Sequence, residues 1–351
     1  MPSIYQVIAS FFKREQKKEV GFLRIHQLLK ELVGKEVVPG IGMMVSHKSE
    51  TVFSANYGYK NLKSKELVCN EETLFRIASV SKPISAFGLA KLVSEGKINL
   101  KDSLYIYLPD FPKNLADIRI EQLANHTSGF RANTNKEFFN DKPLSIQEGL
   151  AFIKKENLLF EPGTDYNYSS YNWNVLSAVI EEVIQKPFEV FMEKEVLHPL
   201  KMMNTIPDKN ESLENQATPY KKIRGGLKET RAVHNFYKLA GGGYLSTVAD
   251  ITRFGNAVLK NKNLLRDFLK QQFVKGVNTY YGLGFQVTED NKGRKYVGHE
   301  GNGLGGYAML YVYPDSDLVI TILMNCSNPN KRDVFTEIVD TVFNELDLSN
   351  I

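Results

Sequence analysis

The 351 residues contain two cysteines, Cys69 and Cys326, and a single tryptophan. So few cysteines exclude a disulfide-stapled scaffold and read as two reduced thiols. The six histidines, at 26, 47, 126, 198, 234 and 299, show no His-x-x-x-His spacing, and Cys-x-x-Cys is absent. A zinc enzyme is therefore not expected, nor is any other metal or organic cofactor. Gly-x-Ser-x-Gly, a common elbow of serine hydrolases, is missing. The glycine-rich run Gly301 to Gly306 lacks the Lys-Ser/Thr pair and following helix of a phosphate loop. No dense basic stripe occurs: Lys and Arg are interleaved with Asp and Glu, the net charge is +4, and nucleic acid is a poor partner. No stretch approaches the roughly 18 apolar residues of a membrane helix. At the N-terminus the apolar residues precede Lys13, Arg14, Lys17 and Lys18, the reverse of a secretory signal. These absences predict a soluble, cytoplasmic protein (periplasmic or extracellular only if a leader had been trimmed) acting on a small molecule or peptide.

What is present is ordinary globular composition, with 42% hydrophobic and 24% charged residues. Ile25, Leu28, Leu29 and Leu32 mark a helix over 22–34, stopped by Gly34. Two strand-like runs, Gly40 to His47 and Thr51 to Gly58, joined by three residues, read as a hairpin. Thr73 to Ile77 leads into a helix from Ser79 to Glu95 that is apolar on most faces and so buried. Helical segments follow near 146–156, 171–185 and 188–196. Strands return at Tyr281 to Val287, Tyr307 to Tyr313 and Leu318 to Met324, the last two joined by a turn over Pro314 to Asp317. A final helix spans about 331–347. The order predicts a single α+β domain. Its antiparallel sheet, flanked by the terminal helices, is built from about 20–100 and 236–351, with a helical lobe of about 101–235 inserted and a cleft between.

Ser-x-x-Lys occurs at Ser10, Ser79 and Ser94. Only Ser79 opens a buried helix directly after a strand-like run. Residues three apart share a helix face, so the Lys82 amine can reach the Ser79 hydroxyl. A helix N-terminus supplies free N–H groups and positive potential beside that serine. A lysine in an apolar pocket has a lowered pKa and can take the serine proton, without which the hydroxyl is a poor nucleophile. Pro83 is tolerated in the first helical turn. A plain helix cap at Ser79 with a solvated Lys82 is the alternative that these residues alone leave open.

With Ser79 and Lys82 placed, other segments of the chain resemble those of the serine β-lactamase and penicillin-binding-protein superfamily. These are Gln122 to Gly129, Phe160 to Ser170, and Ala240 to Thr247. The likeness runs from about 35 to 327 and is nearest to the class C and esterase-like branch. Within that branch it is nearest to the mitochondrial serine β-lactamase-like members and their bacterial relatives. The resemblance implies a β-lactamase/transpeptidase-like fold. It implies that Tyr168, opposite Lys82, shares the proton transfer, a phenol beside a cationic amine being easier to ionise. Tyr166 and Tyr171 read as core tyrosines. The family's asparagine is replaced by Ser170, which reaches less far and holds a substrate amide less well. Its Lys-Thr-Gly element becomes His299-Glu300-Gly301, on what the resemblance makes the edge strand of the cleft. His299 is expected near Tyr168, where it tunes that proton, and the backbone N–H groups of Ser79 and Asn302 are expected to form an oxyanion hole.

These residues imply a serine hydrolase working through an acyl-Ser79 intermediate on a peptide, amide or ester. The alternatives are a β-lactamase or D,D-peptidase and, in a different class, a catalytically weak assembly protein of the same fold. Ser170 and the loss of a permanent charge at His299 weigh against β-lactams.

Overall fold

The computed structural model describes residues 22–115, 117–327 and 329–348. The N-terminal charge pattern and Ser10 lie outside them. Seven antiparallel strands form the central sheet: β1 (Gly40–His47), β2 (Glu50–Asn61), β3 (Glu66–Leu67), β4 (Gln286–Glu289), β5 (Lys295–Gly303), β6 (Gly306–Tyr313) and β7 (Leu318–Met324). Their order is β4-β5-β6-β7-β1-β2-β3, so the two ends of the chain meet where β7 pairs with β1. The β1–β2 hairpin closes through Lys48 and Ser49, both at positive φ, as a two-residue turn that matches strand twist requires. β1 and β7 are apolar and buried along nearly their whole length, as strands covered on both faces must be.

One face is covered by the terminal helices α1 (Leu23–Gly34) and α5 (Arg332–Glu345). Their stripes Ile25, Leu28, Leu29 and Leu32, and Phe335, Ile338, Val339, Val342 and Phe343, are buried there. The other face carries α4 (Val248–Lys260), capped by Thr247, whose side chain accepts the Asp250 N–H. Beyond it lie α2 (Ser81–Ser94) and α3 (Tyr171–Ile184), both buried on almost every side. The antiparallel sheet with its terminal helices and intervening helical segments agrees with the expected architecture.

Several elements differ from the sequence expectation. Helix α4 was not anticipated. The 146–156 segment is one α-helical turn, Ile146–Gly149, then a 3-10 turn, Leu150–Phe152, and the 188–196 helix widens into a π turn at Glu193–Leu197. The strand expected from Tyr281 begins only at Gln286. Gly284, at φ 85°, bends over Trp173, whose ring would lie 2.6 Å from any Cβ there. β5 is not an edge along its full length, because β4 covers Lys295 to Gly298 and leaves the rest open. Cys69 and Cys326 are unpaired.

Ile338 is fully buried between α5 and the sheet. Ile338→Ala should lower unfolding free energy by about 2–4 kcal/mol, read as a shift in urea midpoint. A change below about 0.5 kcal/mol would mean that α5 is not part of the cooperative core.

Candidate active site

Ser79 does not stand inside α2. It sits in a 3-10 turn, Ala78–Val80, just ahead of it. Arg76 pairs with Leu245, and then the chain reverses through Ala78 at φ 45°, a left-handed conformation that costs energy for a residue with a Cβ. The turn presses on β5, where a Cβ on Gly301 would meet the Ile77 carbonyl at 2.2 Å and the Ser79 nitrogen at 3.0 Å. The open half of β5 thus lies beside the Ser79 N–H. The Glu300 N–H leaves this edge toward the Gln286 side chain, and alternation along the strand sends the Asn302 N–H out of the same edge.

Three chain segments converge on Ser79. Lys82 Nζ, from α2, is 3.0 Å from Ser79 Oγ, and Tyr168 OH, from the loop before α3, is 2.9 Å from it. Lys82 is fully buried, and Nζ also donates to the Gly241 carbonyl at 2.5 Å and reaches Ser170 Oγ at 3.4 Å. Among the described residues no carboxylate is paired with it. Burial lowers its pKa from 10.5 to about 7. A neutral amine has two N–H donors and one lone pair. Gly241 and Ser170 accept the donors, which leaves the lone pair for the Ser79 hydroxyl. Ser79 itself is half-buried and reachable.

Tyr168 departs from expectation. Burial raises its pKa above the ordinary tyrosine value, and this outweighs any help from the amine 4.9 Å from its ring. In the resting site Tyr168 is therefore a neutral phenol that donates to Ser79 Oγ.

His299 is buried, and its ring centre is 6.1 Å from that of Tyr168. Nδ1 faces the Glu300 carbonyl at 2.6 Å, which can only accept, so the proton is on Nδ1. Nε2 then accepts from the Tyr281 hydroxyl at 2.9 Å. Burial, followed by the Lys82 charge, drives its pKa down to about 3, so it is a neutral imidazole. Tyr281, not Tyr168, is its partner. The Glu300 side chain points to the opposite face of β5, where the Tyr307 hydroxyl at 3.0 Å and the Tyr311 hydroxyl donate to it.

Sequence reasoning missed Tyr281, the Gly241 carbonyl and His126. The His126 ring lies 4.3 Å from the Tyr168 ring, and its Nδ1 accepts the Ser169 N–H at 3.3 Å. Both glycine and histidine stood in segments that carried the family likeness, but nothing in their spacing showed that they touch the proton-bearing groups. Tyr171 is a core residue, as expected, whereas Tyr166 lines a cavity of about 780 Å³. That cavity, walled by Tyr281, Glu300 and Tyr311, excludes Ser79. The space that does contain Ser79 is about 50 Å³, bounded also by Ser170, Asn302, Arg76 and Lys238. Among the described residues no cluster of three or more His, Cys, Asp or Glu is placed to hold a metal, and no helix is long and apolar enough to cross a membrane.

Comparison with known proteins gives a match to the beta-lactamase family over residues 25–342. The human mitochondrial serine beta-lactamase-like protein LACTB is 28% identical, over 82% of this chain and 70% of that protein. Among solved structures, EstCE1, a hydrolase with promiscuous acyltransferase activity, superposes with a TM-score of 0.79 at 19% identity, covering 93% of this chain and 99% of that one. D-amino acid amidase from Ochrobactrum anthropi gives 0.79 at 24% identity, covering 92% and 98%.

A lysine whose folded-state pKa is depressed penalises folding wherever the unfolded chain is protonated, and the penalty grows with falling pH across the window in which the folded one is not. For Lys82 the penalty is absent above about 10.5, grows as pH falls, and is complete below about 7. It is on the order of 5 kcal/mol. Lys82→Met should therefore gain stability relative to wild type as pH falls from 10.5 to 7 in paired urea titrations. A difference that stays constant with pH would show that Lys82 is not neutral in the fold.

Proposed function

The chain belongs to the beta-lactamase family, and from that premise we propose that it is a serine hydrolase acting on a peptide, amide or ester through an acyl ester on Ser79. The observation that carries this reading is the position of Ser79 Oγ between a buried, unpaired amine and a neutral phenol, at 3.0 and 2.9 Å.

Ser79 Oγ attacks the carbonyl carbon while its proton passes to the Lys82 lone pair. The carbonyl oxygen, now an oxyanion, is met by the Ser79 and Asn302 N–H groups, an arrangement supported by the contact of Gly301 with the Ser79 nitrogen. One such preorganised donor is worth about 3–4 kcal/mol elsewhere. Lys82, now an ammonium, returns the proton through Tyr168 to the leaving group. Water then repeats the sequence on the acyl ester with Lys82 as base again. Ser170 helps hold the amine. His299, fixed in one tautomer, positions Tyr281 beside Tyr168 and supplies no charge. A neutral His299 and the short Ser170 give a β-lactam carboxylate and amide little to bind on that side, which favours the peptidase or esterase reading over a β-lactamase.

Treatment with a fluorophosphonate and with a fluorescent penicillin, followed by intact mass, tests this. The expected result is a fluorophosphonate adduct on the wild type, absent in Ser79→Ala, and at least tenfold slower labelling by the penicillin. An unlabelled wild type, or an adduct that survives Ser79→Ala, would overturn the reading in favour of an inert assembly protein.

A further inference from the structure

The small cavity at Ser79 has a second chemical feature. Neither Tyr168, Tyr281 nor His299 lines it, but two cations do, Arg76 and Lys238. Both are more than nine-tenths buried. Arg76 is committed: Nε pairs with Asp208 Oδ2 at 2.8 Å and Nη1 donates to the Leu304 carbonyl at 3.1 Å. Asp208 is committed as well, since Oδ2 also accepts from Asn235 at 2.6 Å and Oδ1 from the Asn210 N–H. Among the described residues no carboxylate forms an ion pair with Lys238. Its Nζ donates to the Phe138 carbonyl at 3.1 Å and lies 4.8 Å from the Phe138 ring centre and 5.5 Å from that of Tyr237. Among the described residues that carbonyl is its one hydrogen-bond acceptor, so two N–H groups of a buried ammonium remain to be met.

A buried charge left without a counter-charge is costly unless something else supplies one. Burial, reinforced by Arg76 and partly offset by the charge of Asp208, lowers the Lys238 pKa to about 8, which still leaves the amine protonated near neutrality. The excess of one positive charge therefore sits in the space that an acyl group on Ser79 would enter. That space is too small for a bulky group but admits several heavy atoms.

We propose that Lys238 is a specificity-determining residue and that the acyl group transferred to Ser79 carries a carboxylate, as in a monoester or monoamide of a short dicarboxylic acid or an acidic amino-acid side chain. The inference rests on the serine-hydrolase reading for its chemistry, but the anion site can be tested without it. Lys238 takes the anionic end at a place separate from His299.

The test has two arms. In the first, the 4-methylumbelliferyl monoester of glutaric acid and its methyl-capped counterpart are compared as substrates of wild type, Lys238→Met and Lys238→Arg. The wild type should favour the anionic ester by about tenfold or more in kcat/KM, Lys238→Met should lower that ratio at least tenfold, and Lys238→Arg should keep most of it. In the second, glutarate binding is measured by calorimetry on Ser79→Ala and on Ser79→Ala/Lys238→Met, with melting curves to show that both are folded. Binding that disappears with Lys238 supports the site even if no ester is turned over, in which case the hydrolase reading alone falls. A substrate ratio unaffected by Lys238→Met, or glutarate binding indifferent to Lys238, overturns the proposal.

Discussion

The burial of one amine governs this structure. Lys82 is removed from water, given three oxygen neighbours and, among the described residues, no carboxylate, and so held near the pKa at which it can exchange a proton at neutral pH. Most of what surrounds it follows from that requirement. α2 is buried on almost every side, which keeps water from reaching the amine and restoring its charge. α3 is packed as fully, and between them the Ala240–Gly242 segment brings in the carbonyl that Lys82 needs as an acceptor. A Cβ at Gly241 would stand 3.1 Å from the Ser170 carbonyl, a tight contact that a glycine avoids.

The sheet contributes position more than chemistry. Because β7 and β1 join the two ends of the chain, β5 is held rigidly against the turn that carries Ser79, with Gly301 at the point of contact. The same strand separates two environments. Its His299 side faces Tyr281 and the proton-bearing groups, while its Glu300 side faces the tyrosines under α5. His299, His126 and Tyr168 are all held in their neutral forms by burial, so of the groups gathered around Ser79 Oγ and its proton, Lys82 is the one held near neutrality.

Much of this was legible in the sequence, for identifiable reasons. The stripes of α1 and α5, the β1–β2 and β6–β7 hairpins and the all-round apolar character of α2 are local patterns, and they appear where periodicity puts them. Ser79 and Lys82 were readable because three-residue spacing in a helical turn brings them within reach, and the apolar sequence that follows singled out this pair among three. Tyr168 was readable through resemblance, but its protonation state was not: the expectation weighed the nearby amine and could not weigh desolvation, which depends on tertiary packing. Tyr281 was hidden for a similar reason. It lies in what reads as a strand, and only the bend at Gly284 over Trp173 turns that stretch toward His299. Lys238 carries no signal in the sequence, since its burial and its missing partner exist only once Arg76 has claimed Asp208.

The most direct measurement is the pH dependence of the rate at which a fluorophosphonate labels Ser79. If Lys82 is the base, the second-order rate constant rises with pH through a midpoint near 7, as the amine loses its proton, and levels off above about 8. A rate that is flat from pH 5 to 9, or that keeps climbing toward the ordinary lysine value of 10.5, would contradict the account.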